Sequence, residues 1–422
     1  MLRALVHHPT MQAASRWAWL LLCAIAPVSG AWVPVPLAVA VGLLLLRFAV
    51  VRPRLDAALL WPIGAFYLLH LIGMAWTSDL GFGLFDLQIK LGLVLLPMAA
   101  CAVRDILPDA LRKSMAAFSI GLLAAFALSL LKAFQCRMAG GGAECFTQSA
   151  ISFDLHPSYA AWYACWALAY WGDAFLRGAM TVKAERWLAI AAVPLLLAHV
   201  VLMASKSGVI GLALVGFFLV VRALMHAQGS MRWMVPIGAA IGVILGLLLG
   251  GERIAARKDA ARDAVNRAMA GDATLAASEE GSAMRLIAWG CSVDLMKAHP
   301  LGAGTGDVKN DLVACYEAKG ATPAATRRLN SHSQFLQGGA ALGWPGVLAM
   351  MALALVPLAI AVKRRNASLG LFALLFVVNA AVESVLEVQA GVVLFGLMLG
   401  LLAARSTAHA HLAGRIDSIS PA

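Results

Sequence analysis

The chain has 422 residues, of which 61% are hydrophobic and 13% charged, whereas a soluble domain is about 45–50% apolar and about 25% charged. The excess is too large for one big core and fits a polytopic membrane protein. It argues against a soluble enzyme, a disordered tail and a nucleic-acid binder. The formal net charge is +11, but the basic residues are scattered between apolar runs, which marks membrane topology rather than a nucleic-acid footprint.

Apolar runs of about 20 residues mark candidate spans. In chain order they cover 17–30, 33–51, 57–76, 84–103, 112–134, 157–176, 186–204, 207–225, 233–250, 333–361, 369–386 and 388–404, twelve in all. The first is short, but no small-residue cleavage site follows before the next run, so it reads as a retained span rather than a signal peptide. With the N-terminus in the cytoplasm, the cytoplasmic segments collect 18 of the 33 Lys and Arg, and the short outer loops collect almost none. Eleven of the rest lie in one long outer segment, roughly 251–332, where the positive-inside rule loses force. Lys90, Lys132, Arg137 and Lys206 stand outside the pattern.

The expected fold is therefore all-α: a polytopic inner-membrane protein of about twelve transmembrane helices with both termini cytoplasmic. Spans one to nine fill 1–250, a helical periplasmic loop fills 251–332, spans ten to twelve fill 333–404, and 405–422 is a cytoplasmic tail. Within the long loop, Glu252 to Ala270 reads as an exposed helix, Ser282 to His299 as a second and Asp307 to Lys319 as a third. The glycine-rich run Gly302-Ala303-Gly304-Thr305-Gly306-Asp307 follows no strand and lacks the third glycine of the dinucleotide fingerprint, so it reads as a tight turn. No Walker A pattern and no strand–helix alternation is present, which argues against ATP-driven transport within this chain.

Of seven cysteines, Cys23, Cys101 and Cys165 fall in spans as small apolar fillers. Cys136 and Cys145 share one outer loop, and Cys291 and Cys315 share the long segment. Each pair is a candidate disulfide in an oxidising compartment. Without a C-x-x-C motif or a histidine cluster, metal binding is the weaker reading.

Ionisable groups at or inside a membrane are costly and usually functional. Lys90, His156, Lys206, Arg285, His332, Glu383 and Glu387 all fall toward the same outer leaflet in this topology. Two or three cations hold a diphosphate, arginine as a planar fork and lysine as a point charge. A neutral histidine takes a proton from a hydroxyl. His332 is expected in the first turn of span ten, capped by Asn330 or Ser331, where the positive helix end keeps the imidazole neutral. Together these parts suit displacement of a diphosphate leaving group by an activated hydroxyl. Structural readings stand beside the chemical ones. Lys206 could be a snorkelling anchor, Arg285 a solvated helix residue, His156 a helix-start residue and Lys90 a partner of Asp86. Glu383 and Glu387, four apart, could hold water or structural cations.

The stretch from Arg285 to Gly346 carries a recognisable order. Arg285 sits on a helix, His299-Pro300 leads into the glycine run, and Leu329-Asn330-Ser331-His332-Ser333-Gln334-Phe335-Leu336-Gln337 leads into a span and a glycine-rich turn, Gly343-Trp344-Pro345-Gly346. This resembles the signature of the bacterial O-antigen ligase and polymerase superfamily. Ala204-Ser205-Lys206-Ser207-Gly208 is similar to the family's S-R-[SGT] turn, with lysine in place of the commoner arginine, so the charge is kept and the fork lost. His156-Pro157-Ser158-Tyr159 and Asp86-Leu87-Gln88-Ile89-Lys90 also resemble stretches of some members. The resemblance is architectural over nearly the whole chain and motif-specific over about a quarter of it.

The resemblance implies a GT-C-like glycosyltransferase at the periplasmic face of a Gram-negative inner membrane. Such ligases move a polysaccharide from undecaprenyl diphosphate to a lipid A–core acceptor, with no nucleotide sugar, metal or other cofactor. It maps the family's histidine onto His332, its loop arginine onto Arg285 and its turn arginine onto Lys206. Lys90, His156, Tyr159, Asn330, Gln334, Glu383 and Glu387 are then the expected substrate-binding residues. The expected partners are the lipid-linked polysaccharide, the lipid A–core oligosaccharide and membrane lipids, with no nucleic acid. The motifs do not separate a ligase from an O-antigen polymerase or a protein O-oligosaccharyltransferase. A lipid-linked glycan flippase is the non-enzyme alternative.

Overall fold

In a computed structural model the chain is helical throughout, with no strand among the described residues. The structure describes residues 1–270 and 272–417; of 239–254, 256, 257, 273 and 406–417 it describes the backbone alone. The last five residues of the expected tail lie outside the described residues.

Every apolar run coincides with a helix. The principal helices are α1 (Pro9–Ile25), α2 (Pro34–Val51), α3 (Ala57–Gly73), α4 (Leu80–Arg104), α5 (Ala110–Met138), α6 (Pro157–Leu176) and α7 (Lys183–Met203). They continue as α8 (Lys206–His226), α9 (Met231–Met269), α10 (Gly281–Ala298), α11 (Val308–Ala318), α12 (Gln334–Lys363), α13 (Ala367–Val382) and α14 (Gln389–Asp417). Among the described residues seven helices, α2 to α5, α7, α8 and α12, are long and apolar enough to cross a membrane; α13 and 389–405 are shorter apolar helices. Leu68, Leu84, Phe217 and Leu348 stand exposed on these helices. A soluble protein would bury such side chains, and a bilayer covers them. This is the architecture of a polytopic membrane protein.

The centre of the bundle is built by α4, α6 and α14. α4 packs along α14. α6 is buried on nearly every side, with Trp162, Tyr163, Trp166 and Trp171 all enclosed, as expected of a helix that is hydrophobic all round.

Two elements differ from the sequence reading. The ninth apolar run and the first loop helix form one continuous 39-residue helix, α9, which runs through the Gly250-Gly251 pair at the junction of the apolar and charged parts. The tenth run is instead broken: Gly343 leaves the helical conformation at φ 64°. A side chain there would place its Cβ 1.9 Å from the Pro300 carbonyl oxygen, so only glycine fits.

The break explains the glycine run. It frees carbonyls of α12, and the N–H groups of Ala303 and Gly304 donate to Ala340 and Ala341 at 2.9 Å each. Thr305 Oγ1 donates to the His70 carbonyl at 2.6 Å. Asp307 accepts the backbone N–H groups of Ser78 and Asp79 at 2.6 and 2.7 Å. The run is a tight connection, as its sequence suggested, and it fastens the segment carrying α10 and α11 to the α3–α4 turn. That segment has its own small core, which includes Ala288, Leu312 and Tyr316. A Cys291–Cys315 disulfide ties α10 to α11, and Cys136–Cys145 closes the connection after α5.

Candidate functional site

At one end of the bundle, four elements far apart in sequence meet on Glu383, which lies in the turn between α13 and α14. Glu383 Oε1 accepts from Arg285 Nη2 of α10 at 2.7 Å and from Ser158 Oγ of α6 at 3.3 Å. Its Oε2 lies 3.2 Å from Nδ1 of His332. Burial pushes this carboxyl upward, but the hydrogen bond with His332 and the charge of Arg285 outweigh it, and Glu383 is held below the ordinary carboxylate range.

His332 is not inside span ten. α12 begins at Gln334 with Ser333 as its extended N-cap, and His332 precedes it in the left-handed region, at φ 45°. The cause is local. Asn330 turns its side chain back to accept the His332 N–H at 3.0 Å, the short-range bond by which Asn stabilises a turn instead of a helix. A non-glycine residue held at positive φ is strained, and such strain gathers at functional sites. The neighbours are pinned: Ser331 N–H donates to Gln337 Oε1 at 3.0 Å, and Ser331 Oγ accepts from Ser292 Oγ of α10 at 2.8 Å.

Lys206 opens α8, whose N-cap Ser205 accepts the Gly208 N–H. Lys206 Nζ donates to Ser282 Oγ at 2.9 Å. Ser282 lies three residues before Arg285 on α10, so this contact brings both cations to one cavity. The cavity is about 500 Å³ and is lined by Lys206, Arg285, Glu383, His156, Ser158 and Glu280 among others. Nε of Arg285 is buried and finds no hydrogen-bond partner. A buried donor without an acceptor is costly in a folded protein; here it belongs to a guanidinium on the wall of a polar cavity. His156 caps α6, with its Nδ1 accepting the Ser158 N–H at 3.4 Å. Tyr159 lies one turn on, its ring edge-on to His156 at 6.3 Å between centroids.

A second, larger cavity of about 790 Å³ lies between α2, α4 and α14. Its long wall is apolar, with Leu37, Val41, Ile89 and Val392, and its rim carries Lys309, Arg328 and Asn330. The 330–332 segment therefore stands between the two cavities, since Asn330 lines one and the His332 partner Glu383 lines the other.

Lys90, Tyr159, His332 and Gln334 line neither cavity. Lys90 is 0% exposed and bonds to Asp86 and, at 3.0 Å, to Glu387. Gln334 is also fully buried; its Nε2 donates to Glu387 at 2.9 Å and its Oε1 accepts the Leu386 N–H at 2.6 Å. Glu387 reaches the wall of the larger cavity. The sequence reading missed Ser158, Ser205 and Ser282. Small hydroxyls leave no signal in composition, although Ser158 and Ser205 lie inside motifs already singled out. Among the described residues no group of three or more His, Cys, Asp or Glu is arranged to hold a metal ion.

Residues 190–351 match the family model described as O-antigen ligase. The matched segment holds Lys206, Arg285 and His332 and ends before Glu383 and Glu387. Over that segment the match supports the O-antigen ligase superfamily, and with it a glycosyltransferase type of enzyme in a membrane. No curated protein matches the chain.

Proposed function

We propose that this chain is an O-antigen ligase that transfers a polysaccharide from undecaprenyl diphosphate to a lipid A–core acceptor at the periplasmic face of the inner membrane. The observation that carries the reading is the meeting of His332 and Arg285 on one buried carboxylate, beside a cavity that also holds Lys206. A base and two diphosphate-binding cations at one end of a membrane bundle are what displacement of a lipid diphosphate requires.

In this reading the His332–Glu383 contact supports a defined tautomer. Nδ1–H donates to the Glu383 carboxylate, so Nε2 carries the lone pair. Glu383 then orients the ring and stabilises the imidazolium that forms, as the carboxylate of a hydrolase triad does. Nε2 removes the proton of an acceptor hydroxyl. The hydroxyl oxygen bonds to the anomeric carbon from the face opposite the leaving group, in one inverting step. The bond from that carbon to the diphosphate oxygen breaks, and its electron pair stays on the diphosphate. Lys206 and the unpaired Nε of Arg285 stabilise that growing charge. His156, which lines the same cavity, contacts the sugar in this reading, and Asn330 does so from the larger cavity. The apolar wall of the larger cavity suits lipid chains, and its basic rim suits an anionic headgroup. No step draws on a cofactor.

The test is transfer in detergent by purified protein, with undecaprenyl-diphosphate-linked glycan and lipid A–core. A high-mass ladder on the acceptor supports the ligase. Donor glycans that lengthen on their own carrier identify a polymerase instead.

A further inference from the structure

The His332–Glu383 pair is assembled from two segments with no covalent reason to stay in register: the connection before α12 and the turn before α14. What joins them is a buried polar cluster one step deeper. Gln334, two residues after His332, and Glu387, four residues after Glu383, bond to each other at 2.9 Å. Gln334 also holds the turn itself through the Leu386 N–H. Lys90 closes the cluster from α4, reaching Glu387 at 3.0 Å while Asp86, one turn away, anchors the amine. A lysine that is 0% exposed is retained in a membrane bundle only against a high desolvation cost. Its position is not explained by contact with either cavity.

We infer that Lys90 is a positioning residue, which sets the spacing of His332 and Glu383 by fixing Glu387 and, through it, Gln334. The inference rests on the proposed roles of His332 and Glu383. Removing the amine leaves Asp86 and Glu387 facing each other without a counter-charge. Glu387 loses the donor that fixes it, which frees the 383–387 turn and with it the carboxylate that orients the histidine. Misplacement by about 1 Å costs on the order of a hundredfold in rate, and Lys90 itself lines neither cavity.

Lys90→Met should therefore lower kcat ten- to a hundredfold, by the same reasoning on misplacement, and leave KM for the lipid-linked donor within about twofold. In a Glu383→Gln background the same substitution should cost nothing further. A raised KM, or losses that multiply between the two sites, would show that Lys90 touches substrate and overturn the inference. So would an unchanged kcat accompanied only by a lower Tm. Should Lys90→Met fail to fold, Lys90→Met with Glu387→Gln removes the uncompensated buried carboxyl and keeps an amide that accepts from Gln334; kcat above that of the Glu383→Gln variant is the expected result, and no recovery contradicts it.

A readout free of catalysis separates this claim from the proposed function. His332→Cys with Glu383→Cys is treated with a short thiol-to-thiol fluorescent crosslinker. Crosslinking should be efficient with Lys90 present and fall severalfold with Lys90→Met. Equal yields overturn the inference. If the wild-type chain makes no transfer at all, the proposed function fails, and the crosslinking result still decides what Lys90 does.

Discussion

Glu383 Oε2 stands 3.2 Å from Nδ1 of His332, across 51 residues of sequence. The same carboxylate, through Oε1, holds Arg285 at 2.7 Å. One acidic side chain thus ties the proposed base to a proposed diphosphate ligand, and each substitution at this junction has a distinct signature.

Glu383→Gln keeps the shape of the side chain and removes its charge. The ring of His332 loses its orienting acceptor and its imidazolium loses its counter-charge, so transfer should fall by at least about 10²-fold. Steady-state rates with saturating donor check this.

The depressed carboxyl of Glu383 also makes a stability prediction. Its ionised form is favoured in the folded state, so its contribution is complete above the ordinary carboxylate range, near 4.3. It is lost as pH falls through the lower folded value. The Tm difference between wild type and Glu383→Gln should be constant above about pH 5 and shrink on further acidification. A difference that grows as pH falls would contradict the assignment.

Arg285→Lys should lose about 10²-fold in transfer, the cost of removing one charge-stabilising donor, because a point charge cannot hold Glu383 and present Nε at once. Lys206→Arg should remain active, since the charge is kept and a fork gained. Comparing kcat for the two variants under identical conditions checks the asymmetry.

Cys291 and Cys315 close a loop with a sequence separation of 24. Replacing both with serine should lower the stability of the α10–α11 segment by about 3 kcal/mol. Thermal unfolding of the oxidised wild type against the double variant measures it. Activity should fall with the loosened α10, which carries Arg285.

Much of this architecture was legible in the sequence. All twelve apolar runs lie on helices, and α10 and α11 begin and end within a residue or so of Ser282–His299 and Asp307–Lys319. Helical periodicity, caps and breakers are local, so the chain states them locally. The turn at Gly343-Trp344-Pro345-Gly346 was legible as a glycine-rich motif, but its cause was not, because the Pro300 carbonyl that forbids a Cβ at Gly343 comes from 43 residues away. Nor was the turn at His332, where the Asn330 side chain outcompetes the helix. The clustering of His156, Lys206, Arg285, His332 and Glu383 followed from topology, since charged residues near one leaflet must find each other. Which of them bonds to which did not follow. Lys90 reads as a pair with Asp86 from their spacing of four, but its contact with Glu387 spans 297 positions, and no local pattern encodes that.

The central claim is that His332 is the base of a transfer to lipid A–core. The most direct measurement is the formation of high-mass lipopolysaccharide by purified wild type and by a folded His332→Ala variant. Both are supplied with undecaprenyl-diphosphate-linked glycan and lipid A–core. The account predicts a ladder from the wild type and a rate lower by about 10²–10⁴-fold from the variant. Near-normal transfer by His332→Ala at matched protein levels would contradict it.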